Sequence, residues 1–192
     1  MKHPSTRGFF AYWDEKRGEA PAPERSALEP GPVRHLLGDS FVLSYDAAAG
    51  FPFRVTGTRI CALLGGDMKG ESFIALWNAA SRRGIEDILA IAAEETIATV
   101  AGVTAYADSD AAVRLELLLL PFNPRPHTPV SIAGVLAPLS VPARLGREGL
   151  ADFTLTSWRH VGHRLLSAKQ RAIRRWTAAR GLIVYEGLRG NS

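Results

Sequence analysis

The spacing of apolar residues along this chain predicts strands and helices in a definite order. Alternating apolar and polar positions predict two strands before residue 60 and three strands after residue 99. Between them, apolar residues three and four positions apart predict a long helix over residues 81–99. This order favours an α+β domain, a mixed antiparallel sheet with helices on one face, over a doubly wound parallel sheet. The predicted strands cover residues 41–45, 51–56, 100–107, 112–120 and 130–139.

Shorter helices surround this core. An aromatic helix near the N-terminus ends at Gly18, because glycine commonly stops helices. Two more short helices are predicted over residues 57–64 and 71–77. Residues 164–180 have the spacing of an amphipathic helix, and a strand predicted over residues 153–158 disfavours a helix-turn-helix there. The chain is thus divided into an aromatic helix with its linker (1–24), a core domain (25–140) and a basic C-terminal extension (141–192).

The positive charge of the chain is concentrated in its last quarter. The net charge is +4 over 192 residues. Residues 1–140 carry 13 Lys and Arg against 16 Asp and Glu, whereas residues 141–192 carry 10 against 3. The predicted C-terminal helix places its arginines opposite its apolar stripe, where they form a solvated face or meet an anionic partner. These arginines are Arg164, Arg171, Arg174 and Arg175.

Composition bounds the class of protein. Apolar residues make up 46% of the chain and charged residues 22%, as in ordinary folded domains. The single cysteine, Cys61, excludes an internal disulfide and a Cys-rich metal site. The sequence has no run of eighteen apolar residues and no secretory signal, so we expect a cytoplasmic protein.

Residues with catalytic or metal-binding potential fit simpler roles. Ser72 lacks the second glycine of a nucleophile elbow and suits a turn or a helix cap. His160 and His163 have the spacing of a shared helix face, but Gly162 weakens a helix there and no third ligand is near in sequence. Residues 108–110, Asp-Ser-Asp, lie where two strands need a turn. We therefore expect no enzymatic activity and no bound metal.

Five short motifs occur in a fixed order along the chain. They are Phe10-Ala11-Tyr12-Trp13, Pro23-Glu24-Arg25-Ser26-Ala27-Leu28-Glu29-Pro30, Phe53-Arg54-Val55-Thr56-Gly57-Thr58-Arg59, Gly70-Glu71-Ser72-Phe73 and Leu118-Leu119-Leu120-Pro121. Together they resemble a family of small bacterial single-domain PAS-like proteins over residues 8–140. The resemblance implies a five-stranded antiparallel sheet with helices on one side, around a small-molecule pocket or a docking surface. Residues 181–187 are similar to the closing strand of longer members.

The resemblance also implies where a ligand would bind. The pocket of such a fold is lined by inward residues of the late strands and of residues 57–77, which combine apolar and polar contacts. Cys61 lacks the Asn that precedes it in flavin-binding photosensors, and residues 81–99 contain no His to ligate haem, so we expect no cofactor. Two alternatives stay open. Trp77 occupies an ordinary core position, and Arg54 and Glu116 form an ion pair across the sheet. The candidate ligand-binding residues are Arg54, Arg59, Trp77 and Glu116, and the alternative pair is Arg54 with Glu116.

The leading hypothesis is a PAS-like sensory or regulatory module that binds a small ligand or a protein partner. With no output domain in these 192 residues, we expect it to signal by contact, as a homodimer or with a partner. Aromatic residues are enriched in interface cores, which favours the N-terminal helix as the contact surface. The expected interface residues are Phe9, Phe10, Tyr12 and Trp13. The alternative is a protein that binds an anionic partner, a nucleic acid or an acidic surface, through the basic C-terminal helix.

Overall fold

The computed structural model describes residues 1–107, 112–124, 130–140 and 149–162. The helices in these residues are α1 (Pro4–Arg17), α2 (Thr58–Leu64) and α3 (Ala79–Glu95), with 3-10 turns at Arg25–Ala27, Leu37–Asp39 and Ile74–Leu76. The strands are β1 (Ser40–Ser44), β2 (Phe53–Thr56), β3 (Ala98–Tyr106), β4 (Ala112–Pro121), β5 (Ser131–Pro138) and β6 (Ala151–Val161). In this part of the chain no helix is both long and apolar enough to cross a membrane.

These strands form one antiparallel sheet in the order β2-β1-β5-β4-β3-β6. The α+β architecture expected from the sequence is confirmed. The expected number of strands, five, is wrong, because β6 pairs with β3 from Ala98↔Val161 to Tyr106↔Ala151 and extends the sheet. The sequence predicts a strand over residues 153–158 but no partner for it. In the structure the burial of β6 alternates only weakly, and a strand of this kind has a weakly specified register.

The sheet has an inner face, which packs against α2 and α3, and an outer face, which packs in part against α1. Leu117 and Leu119 of β4 lie in the inner cluster, whereas Leu118 and Leu120 lie in the outer one together with Trp13 of α1. All four leucines are at most 1% exposed. Strands covered on both faces carry continuous apolar runs rather than alternating ones, which explains the Leu-Leu-Leu-Leu sequence of β4.

Five aromatic side chains occupy the space between the inner face and the helices. Neighbouring rings have centroids 5.6–5.7 Å apart in stacked and edge-to-face contacts. Each side chain is at most 2% exposed. We refer to these residues as the aromatic core: Phe41, Phe53, Phe73, Trp77 and Phe153. The aromatic core connects β1 and β2 at one edge of the sheet with β6 at the other.

Two predicted helix boundaries differ from the structure. The long helix ends at Glu95 rather than near residue 99, because Thr96 adopts a left-handed conformation and β3 begins at Ala98. A residue with positive φ cannot continue a right-handed helix. The helix predicted over residues 71–77 is a single 3-10 turn at Ile74–Leu76. Both segments join the helical layer to the sheet, where tertiary contacts override local spacing.

We predict that Gly134→Ala lowers the free energy of unfolding by about 1–3 kcal/mol, as expected for overpacking of a core. Gly134 lies opposite Phe41 on the neighbouring strand, and a Cβ at this position would overlap the Phe41 ring. Urea denaturation of both proteins measures the change. Gly66→Ala is the matched control, since a Cβ there meets nothing within 4 Å and should change stability by less than about 0.5 kcal/mol. Equal midpoints for the two variants would contradict the prediction.

Candidate functional site

The four candidate ligand residues do not converge on one pocket. Arg54 is exposed on β2, and Arg59 projects from the first turn of α2. Trp77 belongs to the aromatic core and is 1% exposed, whereas Glu116 lies on the opposite, outer side of the sheet. Ligand binding by these residues stays a prediction, but the alternative ion pair between Arg54 and Glu116 does not form. Two strands separate β2 from β4, which places them about 14 Å apart.

Glu116 holds the N-terminal end of α1 against the outer face. Its carboxylate accepts hydrogen bonds from the backbone N–H of Lys2 at 2.7 and 2.9 Å and from that of His3 at 3.0 Å. The hydroxyl of Thr6 donates a further, short hydrogen bond to the same carboxylate. Glu116 is 6% exposed. A buried carboxylate beside a helix N-terminus also complements the helix dipole, so Glu116 positions α1 by both charge and hydrogen bonding.

Asp39 joins α1 to α2. It accepts a hydrogen bond from Ser5 Oγ of α1 at 2.5 Å and two from the Arg59 guanidinium of α2 at 2.6 and 2.9 Å. Arg59 also donates to the backbone oxygen of His35 at 3.1 Å. Asp39 is 4% exposed, so its charge is satisfied by these donors rather than by bulk solvent. Nothing in the sequence pattern singles out Asp39, and its two partners are 34 and 20 positions away.

Both carboxyl groups are more acidic than usual. Burial alone would raise the pKa of Asp39, but hydrogen bonds from Arg59 and Ser5 outweigh it and lower that pKa. Burial likewise opposes ionisation of Glu116, and the hydrogen bonds from Thr6, His3 and Lys2 lower the pKa below its ordinary value. The two groups are therefore anionic at neutral pH and hold α1 as carboxylates.

Most of the predicted aromatic interface lies inside the fold. Phe9, Tyr12 and Trp13 are 6%, 9% and 1% exposed and pack on the outer face, and Phe10 is the partly buried member of the four. Trp13 Nε1 donates to the Pro121 oxygen at 2.9 Å. The apolar surface expected to mediate a dimer is thus used largely within the chain. A homodimer stays a prediction.

The outer face carries a depression of about 310 Å³ beside the start of α1. Gly102 of β3 is one of its lining residues. Lys2, Glu116 and Arg159 supply charged groups at its wall, and Leu139 supplies apolar surface. The arrangement provides cations, a hydroxyl from Ser157 and exposed apolar surface for contact with another molecule. It holds no nucleophile–base pair among its lining residues.

Among the described residues, two buried side-chain atoms have no hydrogen-bond partner. They are the indole N–H of Trp77 and the hydroxyl of Thr56. Such buried unsatisfied groups are uncommon and cost free energy unless a partner is supplied. The Trp77 N–H is therefore the polar group of the aromatic core that is available to an additional acceptor.

Several sequence predictions concern residues outside the described part of the chain. They include the basic helix with Arg164, Arg171, Arg174 and Arg175, the turn at residues 108–110, the strand at residues 181–187, and His163. These stay predictions. Among the described residues, no group of three His, Cys, Asp or Glu side chains is placed to hold a metal ion.

Comparison with known proteins identifies related sequences and structures. A family model described as a PAS domain matches residues 1–137. The crystal structure of the Rhodobacter sphaeroides LOV protein is 14% identical with a TM-score of 0.43, over 54% of this chain and 60% of that chain. An RNA-binding light-oxygen-voltage receptor is 18% identical with a TM-score of 0.44, over 59% of this chain and 33% of that chain. The alignments thus span less than two thirds of either structure. A comparison with curated proteins finds no match.

We predict that Glu116→Gln lowers the free energy of unfolding at pH 7 by about 1–3 kcal/mol, because it weakens the acceptor for buried donors. The lowered pKa of Glu116 means that the carboxylate stabilises the fold above its ordinary pKa, and that this stabilisation is lost as the pH falls through the lowered value. The difference between the two proteins should therefore shrink as the pH falls below the ordinary pKa of a glutamate, about 4.3. Urea midpoints at several pH values measure it.

Glu86→Gln is the matched control for this experiment. Glu86 is exposed on α3, so its replacement should leave the midpoint nearly unchanged at each pH. A difference between Glu116→Gln and the unaltered protein that stays constant from neutral to acidic pH would contradict a role for the ionised carboxylate. An effect of the same size from Glu86→Gln would contradict the assignment to α1.

Proposed function

This chain belongs to the PAS domain family, and from that membership we propose that it is a sensory or regulatory module without catalytic activity of its own. Within that class, we propose that it acts by contact with a protein partner through the outer face of the sheet. The observation that carries this choice is the packing of the aromatic core, whose five rings occupy the space between the sheet and the helices. A ligand at that place would have to displace buried aromatic side chains.

The outer face has the features that contact with a protein requires. α1 covers its centre through Phe9 and Trp13, while the surface over β3 and β6 carries the depression at Gly102. The exposed apolar residues Tyr106 and Leu139 lie on this side as well, at 40% and 36% exposure. Interfaces combine such apolar contact with polar groups at the rim. A change in the position of α1 would alter this surface directly.

A small-ligand sensor is the second candidate, and one observation favours it. The Trp77 N–H is buried without an acceptor, and a ligand with a suitably placed acceptor would satisfy it. Ligand pockets combine apolar walls with a few fixed polar groups, which is the chemistry that the aromatic core and Trp77 together offer. This candidate requires rearrangement of the aromatic core on binding.

The third candidate is an anionic-partner protein that acts through the basic C-terminal segment. Its support is the excess of Lys and Arg over Asp and Glu in residues 141–192. Phosphate contacts release counterions, so binding of this kind weakens steeply as salt rises. Loss of a salt-dependent interaction on replacing Arg171, Arg174 and Arg175 with Ser would favour this candidate over the two others.

We predict that native mass spectrometry of the freshly purified full chain shows the 20.8 kDa polypeptide, alone or as a multiple of that mass, without a retained small molecule. The physical reason is that aromatic packing already satisfies the dispersion contacts that a ligand would offer. A retained small molecule that is released on denaturation would overturn the protein-contact proposal. Loss of that molecule in Trp77→Phe would assign it to the aromatic core.

A further inference from the structure

We infer that the outer face of β3, β4 and β6 binds an extended acidic segment of a partner protein. This inference rests on the proposed function and names the chemistry of the partner. The surface consists of Gly102, Tyr106, Arg114, Leu139, Ser157 and Arg159, with Lys2 at its margin. We refer to it as the outer cationic surface.

The cations of this surface have no anionic partner in the described part of the chain. Lys2, Arg114 and Arg159 are exposed, and none takes part in an ion pair with a described residue. The carboxylate on the same face, Glu116, is 6% exposed and already accepts hydrogen bonds from the start of α1. The surface thus presents positive charge that the anionic side chains of the described residues do not complement.

The sheet register sets the distance between the two arginines. Arg114 is opposite Thr104, and Arg159 is opposite Val100, so four residues of β3 separate them along the strand. They also lie on the two strands that flank β3. Rises of about 3.3 Å per residue and strand spacings of about 4.8 Å place their Cα atoms about 16 Å apart. An extended peptide covers that distance in about five residues.

Apolar side chains accompany the cations. The backbone N–H of Leu139 donates a hydrogen bond to the backbone oxygen of Arg114 at 2.8 Å. The Leu139 residue is 36% exposed. Tyr106 is 40% exposed near the other end of β3. The complementary segment therefore carries two acidic residues four positions apart, which an extended chain presents on one face, with apolar residues between or beside them.

A protein segment fits this surface better than a nucleic acid does. A nucleic acid strand carries a phosphate on every nucleotide, whereas the two arginines lie about 16 Å apart with a buried carboxylate between them. The exposed Leu139 and Tyr106 match apolar side chains rather than phosphates. Widely spaced charged residues around apolar residues are typical of protein interfaces.

The test is fluorescence anisotropy with the full chain and three labelled probes. The first probe is a ten-residue peptide with Glu at positions 3 and 7, which share one face of an extended chain, in a background of Val, Thr and Ser. The second has Gln at both positions, and the third is a ten-nucleotide oligouridylate. We expect the Glu peptide to bind at least tenfold more tightly than the Gln peptide, and more tightly than the RNA, at low salt.

Charge reversals assign the binding to this surface. Arg114→Glu and Arg159→Glu should each weaken binding of the Glu peptide at least fivefold, while Arg159→Lys keeps most of it. Arg83→Glu on α3 is the matched control and should have no effect, since Arg83 is exposed on the other side of the sheet. Thermal melting of each variant checks that these exposed substitutions leave the fold intact.

Three outcomes would overturn the inference. They are equal affinity for the Glu and Gln peptides, unchanged binding in both charge-reversal variants, and loss of binding only when Arg171, Arg174 and Arg175 are replaced with Ser. The peptide assay reports on the outer face, whereas native mass spectrometry reports on the aromatic core. A retained ligand with normal peptide binding would therefore overturn the expectation that the aromatic core holds no ligand and leave this inference standing. No retained ligand together with no peptide binding would overturn this inference alone.

Discussion

Burial on both sides of the sheet is the constraint on which the rest of this structure depends. The leucines of β4 point alternately into the inner and outer clusters, and each must be removed from water. The inner side is covered by α2 and α3 and filled by the aromatic core. In the part of the chain that the structure describes, the helix that covers the outer side is α1, which crosses to it from the N-terminus. Phe9 and Trp13 therefore pack where they do because the outward leucines of β4 have to be covered.

Apolar packing alone does not fix the position of a helix along a sheet, because it is non-directional. At the start of α1, directional contacts come from two buried carboxylates on different elements. Glu116 holds the backbone at Lys2 and His3, and Asp39 holds Ser5. Asp39 also binds Arg59 of α2, which belongs to the layer on the inner face. The two layers on opposite faces are thus joined by one carboxylate at the edge of the sheet.

Local pattern predicted most of the elements, because each depends on neighbours in sequence. The strand at residues 40–44, the short helix that ends before Gly65 and the aromatic helix that ends before Gly18 were all predicted within a few residues. The place of β6 and the partners of Glu116 depend on contacts between distant residues, about which spacing carries no information. Glu116 was identified as a polar residue on a buried strand, but its partners lie more than 100 positions away. For the same reason, spacing could not show that Arg54, Arg59 and Trp77 lie apart in the fold rather than around one pocket.

The same constraint determines where this module can meet another molecule. Covering β4 and β5 with α1 leaves the adjoining part of the outer face, over β3 and β6, without a helix in the described residues. That exposed area begins at Glu116 and Lys2, the residues that seat the first turn of α1. A partner bound there would contact both the sheet and the end of the helix, whose position is coupled through Asp39 to α2. The contact proposed at the outer face would therefore reach the inner layer through α1 and Asp39 rather than through the aromatic core.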